Sequence, residues 1–380
     1  MKEILFNTCI FADNKLWFIS NDKYFMYMDI KTNKISFVMV NDLNKINFKV
    51  VGDSMLFDGT DIYWIEYDSR HLVKYSIQEN RCEFYQIPTI ERRDGESIAA
   101  IALYNKKVYI FPQYTPYLII FDTVAETFSM QNELYQTIQN ETLKKKEKSL
   151  WRSVSTDNMI FLFGKYENAV VKYHLDKGDF EVSPLPVGIE TPIYMLWKED
   201  IFYILCSDGS IYSWDGYSCK TSKIYIPAGG NISFCRVSAT KNKLFLLPSR
   251  ADKVRVVDLK SLEFEDIDNY PDDFRYNELS WSRYHGSCEN ERYIWYANRS
   301  ANYILRLDKK NDLAEWIKPE APSLKEESEY YVKSGKTMFR EQETDIRILF
   351  EDMGKQYDSA AKTTIGSDIW RKLGGNMNDK

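Results

Sequence analysis

The segment Asn105-Lys-Lys-Val-Tyr-Ile-Phe-Pro112, continued by Tyr117-Leu-Ile-Ile-Phe-Asp122 and Thr123-Val-Ala-Glu-Thr-Phe-Ser129, holds the pattern that decides the fold. It predicts a short apolar strand, a turn, a second strand ending in Asp, a polar turn and a third strand. Valine, isoleucine, tyrosine and phenylalanine dominate the strands, which is typical of β-sheet. The Asp has a local role, because its carboxylate can accept backbone N–H bonds in the turn that follows.

The same unit recurs along the chain, with clear copies at residues 14–29 and 242–264. A less regular strand precedes each copy, for example residues 98–103. Four antiparallel strands in a unit of about 40–50 residues predict a β-propeller blade. The residues that end the second strand of the quoted pattern lie 41 to 52 positions apart, and five of the seven are Asp: Asp29, Ser76, Asp122, His174, Asp215, Asp258 and Asp308.

Seven units account for residues 1–319 and predict an all-β, seven-bladed propeller of four-stranded antiparallel blades. Each copy begins with its innermost strand, at residues 3–11 in the first copy, and the last copy ends near residue 317. In this register no strand is exchanged between the first and last blades to close the ring. A register shifted by one strand fits the sequence nearly as well.

Residues 320–380 differ in character and predict a helical C-terminal extension with a disordered end. Apolar residues at helical spacing predict one helix over 337–356 and a second, shorter helix after residue 367. These apolar stripes must be buried on the ring itself, on a protein partner or in a dimer contact. The candidate docking residues are Ile346, Leu349, Phe350, Met353 and Trp370.

Charge and composition exclude several classes of function. The net charge of −6 argues against binding to nucleic acid, and no apolar run is long enough to span a membrane. Six scattered cysteines without a Cys-x-x-Cys pair indicate free thiols in a reducing, cytoplasmic location. With three separated histidines the sequence predicts neither a metal site nor a cofactor.

A Ser-x-x-Arg pattern occurs on three predicted innermost strands and ends at Arg152, Arg236 and Arg283. Innermost strands line the axial channel, so these guanidinium groups are candidates for binding a carboxylate or phosphate. The alternative is that each Arg ties its blade to a neighbour. Three further residues complete the hypothetical ligand site: Trp151, Trp281 and His285.

The order of residues in these units resembles the kelch superfamily. A kelch unit runs from Arg on the innermost strand through an aromatic second strand to Asp and a final aromatic, as in Arg283, Tyr293–Tyr296, Asp308 and Trp316. The glycine doublet of kelch blades is missing, because Pro112, Gly164 and Pro248 stand in its place. The resemblance implies a propeller that can carry either binding or enzymatic activity.

The sequence favours a non-enzymatic binding or scaffold propeller that recognises a protein partner or an anionic small molecule at one face of the ring. No nucleophile, acid–base pair or phosphate-binding loop is recognisable, and no catalytic residue is assigned. The alternative is a kelch-type enzyme, an isomerase or hydrolase, acting on an acidic carbohydrate. In that case the three arginines would hold the carboxylate and His285 or a nearby acid would move protons.

Overall fold

The described residues form seven four-stranded antiparallel sheets, the blades of a propeller ring. This computed structural model describes residues 6–20, 24–40, 50–66, 71–88, 98–113, 117–134, 150–156, 158–164, 169–186, 188–189, 192–216, 218, 222–225, 234–249, 251–276 and 283–334. Each sheet consists of four strands that are consecutive in sequence. The predicted fold class is therefore confirmed, together with the register in which no strand is exchanged between blades.

The strands of the first four blades are as follows. Blade 1 contains β1 (Phe6–Ala12), β2 (Lys15–Ser20), β3 (Phe25–Asp29) and β4 (Ile35–Phe37). Blade 2 contains β5 (Val50–Phe57), β6 (Asp61–Glu66), β7 (His71–Ser76) and β8 (Arg81–Gln86). Blade 3 contains β9 (Ile98–Tyr104), β10 (Lys107–Pro112), β11 (Leu118–Asp122) and β12 (Thr127–Gln131). Blade 4 contains β13 (Leu150–Ser155), β14 (Met159–Gly164), β15 (Ala169–His174) and β16 (Phe180–Pro184).

The remaining three blades complete the ring. Blade 5 contains β17 (Pro192–Lys198), β18 (Ile201–Cys206), β19 (Ile211–Trp214) and β20 (Ser222–Tyr225). Blade 6 contains β21 (Phe234–Ala239), β22 (Lys243–Pro248), β23 (Arg255–Asp258) and β24 (Phe264–Asp266). Blade 7 contains β25 (Tyr284–Glu289), β26 (Tyr293–Asn298), β27 (Ile304–Asp308) and β28 (Leu313–Ile317). The first strand of each blade contacts first strands of other blades, so these seven strands surround the axis.

The second strand of a blade is apolar on both faces because neighbouring blades cover both. In β10, Val108, Ile110 and Phe111 are fully buried. The fourth strand lies at the rim and is far more exposed, as in β24, where every residue is exposed. The continuous apolar runs in the sequence are thus explained by two-sided burial.

The repeated Asp residues end their strands and fix the next turn, as the sequence predicts. The Oδ1 atoms of Asp29, Asp122, Asp258 and Asp308 each accept N–H bonds from the residues two and three positions later, at 2.8–3.1 Å. Asp215 lies directly after β19 and accepts one such bond from the amide of Ser218 at 2.7 Å. Each of these turns is therefore stabilised by hydrogen bonds to its own Asp side chain.

The ring junction, the contact between blade 1 and blade 7, joins parts of the chain that are far apart in sequence. Strand β25 packs so closely on β1 that a Cβ atom at Gly286 would lie 2.6 Å from the Cα atom of Thr8. Phe11 and Trp295 stack across the junction with ring centroids 5.1 Å apart. Packing therefore holds blades 1 and 7 together, whereas the other neighbouring blades are also linked by the continuous chain.

A backbone bridge adds to the ring junction at the rim. After β28 the chain reaches the edge of β4, where Glu320 and Lys34 form a parallel bridge. The amide of Ile35 donates to the Glu320 carbonyl at 2.9 Å, and the amide of Glu320 donates to the Asn33 carbonyl at 2.8 Å. The segment that follows the last blade is therefore paired with the first.

The chain divides into two units, Met1–Ala321 and Pro322–Lys380. In the second unit the structure describes one helix, α1 (Leu324–Ser334). Its N-terminus is a capping box: the Ser323 hydroxyl accepts from the amide of Glu326 at 3.2 Å, and the Glu326 carboxylate accepts from the Ser323 amide at 2.8 Å. No described helix is long and apolar enough to cross a membrane.

Candidate functional site

A cavity of about 550 Å³ lies along the ring axis between the innermost strands of blades 3 to 7. Its wall mixes aliphatic and aromatic side chains with hydroxyls and charges. Cavities of this volume are typical of small-molecule sites. The polar and aromatic lining residues are Ser153, Ser155, Tyr194, Trp197, Lys198, Arg236, Ser238, Ser287, Glu289, Tyr296 and Lys309.

One β-bulge position recurs on the innermost strands, and two of the side chains at it, those of Tyr194 and Arg236, line this cavity. In β13, β17 and β21 the pairing with the second strand shifts register just before Arg152, Tyr194 and Arg236. In β25 the shift spans residues 284–287 and so includes Gly286. A bulge places an extra residue in one strand and changes the direction of the side chains beside it.

Arg236 lies on this bulge position in β21 and contacts the blades on both sides of its own. Only 5% of its surface is exposed. Its Nε donates to the Tyr284 carbonyl of blade 7 at 2.9 Å, and its guanidinium carbon lies 5.1 Å from the centre of the Tyr194 ring of blade 5. Arg236 thus ties three blades together and also forms part of the cavity wall.

Arg283 has a different position, because it precedes β25 and is not among the residues that line the cavity. Its guanidinium carbon lies 4.0 Å from the centre of the Tyr276 ring, and its Nη1 donates to the Ala251 carbonyl at 2.5 Å. Ala251 lies between β22 and β23 of blade 6, and Tyr276 lies between blade 6 and blade 7. The bulge position of blade 7 belongs to Gly286, so Arg236 and Arg283 do not share one level of the channel.

A cluster of charges lies at the end of the cavity where innermost strands turn into second strands. Lys198 ends β17, and its Nζ donates to the Thr240 carbonyl of blade 6. Burial lowers the pKa of Lys198. Lys309 Nζ lies 3.3 Å from a carboxylate oxygen of Glu289. With Arg236, this gives three cations and one carboxylate among the cavity-lining residues.

Hydroxyl groups fill the middle of the wall. Tyr296 and Ser238 both line the cavity, and burial raises the pKa of Tyr296 well above its ordinary value. Ser153 and Ser287 are half-buried on strands β13 and β25. Such groups can donate to and accept from a polar ligand.

Several predicted residues lie outside what the structure describes. The backbone of β13 and β25 is described, but the side chains of Trp151, Arg152 and His285 are not. Trp281 falls wholly outside the described residues. The same holds for the predicted docking residues of the C-terminal extension: Ile346, Leu349, Phe350, Met353 and Trp370.

Sequence reasoning missed the charged end of the cavity. Lys198, Glu289 and Lys309 lie at or next to tight turns, where charged residues are ordinarily solvated. Their position in the sequence could have indicated the site, because Lys198 and Glu289 end innermost strands and such ends face the axis. Among the described residues, no group of three or more His, Cys, Asp or Glu side chains is placed to hold a metal ion.

Comparison with known proteins identifies the architecture. No family model and no curated protein matches the chain. A streptogramin B lyase is similar with a TM-score of 0.58 and 14% identity, over 83% of this chain and 95% of its own. A catalytically inactive virginiamycin B lyase from Staphylococcus aureus, with quinupristin, gives 0.56 and 13%, over 78% and 93%. The protein U3-55K gives 0.53 and 9%, over 79% and 95%. Identities this low show a shared propeller fold and nothing finer.

Proposed function

We propose that this propeller is a binding module that holds a small anionic molecule in its axial cavity. The observation that carries the proposal is the cavity itself: about 550 Å³, lined by Arg236, Lys198 and Lys309 against one carboxylate, Glu289. A site whose lining carries excess positive charge favours an anion. Arginine adds directional hydrogen bonds that suit carboxylate and phosphate groups.

The state of Lys198 supports an anionic ligand. Its pKa is lowered because burial disfavours the charged ammonium group. An anion bound nearby would relieve that cost and raise the pKa again. Binding is therefore coupled to the charge on Lys198 and weakens as pH rises through the lysine pKa.

The hydroxyl and aromatic lining favours a polar organic anion, such as a sugar acid, over a simple ion. Ser153, Ser155 and Ser287 come from two blades and can bond to ligand hydroxyls. Tyr194 and Trp197 offer apolar surface on the same wall. Four expectations from the sequence stay part of this proposal. They are a scaffold role, a protein partner, a cytoplasmic location and a specific relation to kelch proteins.

The second candidate is an enzyme acting on an acidic carbohydrate, using the same cavity. The likeness to streptogramin B lyase carries no argument for this chemistry, since the identity is 14%. Arg236 is bound to Tyr284 and Tyr194 of neighbouring blades, which favours positioning and binding. A ligand that is found by binding and then shown to be converted would establish the enzyme.

The test is a thermal-shift screen of the full chain against sugar acids, phosphorylated sugars, nucleotides and dicarboxylates. A ligand at about a hundred times its Kd adds about 2.7 kcal/mol of stability. The shift should be reduced in Lys309→Met and kept in Lys310→Met, its exposed neighbour outside the cavity lining. A screen without any hit, or a hit that Lys309→Met leaves unchanged, would refute the proposal.

A further inference from the structure

The innermost strands at the ring junction bring two thiols together. Cys9 lies on β1 opposite Phe18, and Cys288 lies on β25 opposite Trp295. Phe11, two residues after Cys9 on β1, stacks on Trp295, the pairing partner of Cys288, with ring centroids 5.1 Å apart. Since alternate residues of a strand share a face, Cys9 and Cys288 lie on the facing sides of β1 and β25, although the residues are distant in sequence. We infer that Cys9 and Cys288 are a redox-responsive pair that closes as a disulfide across the ring junction.

The backbone at this point supports the inference. A Cβ atom built on Gly286 would lie 2.9 Å from the backbone nitrogen of Cys9, so β25 and β1 are in direct contact two residues before Cys288. A disulfide needs its two Cβ atoms within about 4.5 Å, which only close strands allow. No disulfide joins any of the described cysteines.

The two cysteines differ in burial. Cys288 is a half-buried residue beside the axial cavity, and Cys9 is 4% exposed. We therefore expect an oxidant to reach Cys288 before Cys9. Burial, the neighbouring Cys9 thiol and the charge of Glu289 raise the pKa of Cys288. Since the thiolate is the reactive form, oxidation should be slow at neutral pH and directed by contact more than by reactivity.

The reaction with a small disulfide such as oxidised glutathione is balanced in two exchanges. The Cys288 thiol loses its proton to solvent, and the thiolate attacks one glutathione sulfur and releases one glutathione thiol. The Cys9 thiol then loses its proton, and the thiolate attacks the Cys288 sulfur and releases the second glutathione. The protein loses two electrons and two protons, and one glutathione disulfide becomes two thiols.

The expected consequence is a covalent ring junction. Blades 1 and 7 are otherwise held by packing, the Phe11–Trp295 stack and the Glu320 bridge. A disulfide between residues this far apart in sequence restricts the unfolded chain strongly. It also removes the Cys288 thiol from the cavity wall. The inference concerns the ring itself and does not depend on the proposed ligand.

The test incubates the full chain with oxidised glutathione at mildly alkaline pH and maps the peptides without reduction. We expect a linked pair of peptides that contain Cys9 and Cys288, a loss of two of the six thiols, and a higher melting temperature that dithiothreitol reverses. Cys235→Ser should keep the link, because Cys235 Sγ contacts the Leu247 and Pro248 carbonyls. Cys9→Ala should stop at the mixed disulfide on Cys288.

Three results would overturn the inference. One is a wild-type map without the linked peptides after prolonged oxidation. Another is a mixed disulfide at Cys288 that persists although Cys9 is present. The third is a link from Cys288 to a different cysteine. Because the wild-type map alone decides each of these, the test holds even where Cys9→Ala does not fold.

Discussion

Gly286 packs against Thr8 so closely that no side chain fits between them. The nearest atoms to a Cβ at position 286 would be the Cα of Thr8 at 2.6 Å and the nitrogen of Cys9 at 2.9 Å. Both are backbone atoms, so no rotamer change can make room. The close approach of the first and last blades therefore requires a residue without a side chain at position 286.

Gly286→Ala should destabilise the ring, because the added methyl group must push β25 away from β1. Overpacking of this kind costs about 1–3 kcal/mol in the free energy of unfolding. Urea unfolding followed by tryptophan fluorescence measures the change. Truncation of the partner by Thr8→Ala should not rescue the variant, because the contact is with backbone atoms. Equal stability of Gly286→Ala and wild type would contradict this view of the junction.

Glu320→Pro should weaken the rim of the ring junction. Proline lacks the amide that donates to Asn33 at 2.8 Å, and one lost hydrogen bond costs about 1 kcal/mol. The matched control is Glu320→Ala, which keeps both backbone bonds and removes only an exposed side chain. Chemical denaturation of the two variants compares them directly. Indistinguishable midpoints would show that the bridge adds no stability.

The strand-ending Asp residues predict how stability depends on pH. Bonds from the backbone amides of Ala125 and Val124 lower the pKa of Asp122 in the folded state. A group with a lowered pKa stabilises the fold above its unfolded pKa, and this contribution is lost as pH falls through the folded value. Asp29 and Asp258 behave alike, because backbone amide bonds also lower their pKa.

Asp122→Ala should accordingly be less stable than wild type at pH 7, and the difference should shrink in acid. The range is below about pH 4, where Asp carboxylates take up protons. Denaturant unfolding at pH 7, 5 and 3 measures the difference. Asp252→Ala, at an exposed position, is the control and should run parallel to wild type throughout. A difference for Asp122→Ala that stays constant with pH would argue against the charge as its source.

Phe25 lies at the contact between blades 1 and 2, and Phe25→Ala should cost about 3–5 kcal/mol in the free energy of unfolding. Its side chain is fully buried, with ring centroids of Tyr75 and Trp64 at 5.0 Å and 5.1 Å. Phe264→Ala removes the same ring at a residue that is 58% exposed and should cost far less. Thermal and chemical unfolding measure both. Similar losses for the two variants would mean that blade contacts carry little of the stability.

The architecture was predictable because its signals are local and repeated. The Asp at the end of a strand acts on the next turn, within three residues, so its spacing reports the blade period. The helix α1 carried a local signal too, the Ser323–Glu326 capping box, but the predicted helix was placed further along, at 337–356, outside the described residues.

The site was only partly predictable, because its geometry depends on register between distant strands. Arg236 lines the cavity, but a three-residue offset separates Arg283 from Gly286 at the corresponding bulge. A constant Ser-x-x-Arg spacing cannot reveal such an offset, since bulges change strand direction without changing the motif. Lys198 and Lys309 converge from blades 5 and 7, and nothing near either residue in sequence indicates the other.

Replacing Lys198 should change ligand affinity much more than the free energy of unfolding. Its lowered pKa means that the fold disfavours the ammonium charge, and this cost is present at neutral pH and relieved as pH rises toward the ordinary lysine pKa. Lys198→Met keeps the apolar stem and removes the charge, while it loses one bond to the Thr240 carbonyl. We expect the free energy of unfolding to change by no more than about 1 kcal/mol, since these two effects oppose each other.

Anion binding by Lys198→Met should fall far more, by about 10- to 100-fold, because a charge-assisted hydrogen bond is worth about 1.5–3 kcal/mol. Calorimetric titration with the ligand found by thermal shift measures this, and urea unfolding measures stability. Lys241→Met, at an exposed residue outside the cavity lining, is the control for charge alone. If Lys198→Met loses stability but binds the ligand as wild type does, Lys198 ties blade 5 to blade 6 and the ligand is held elsewhere.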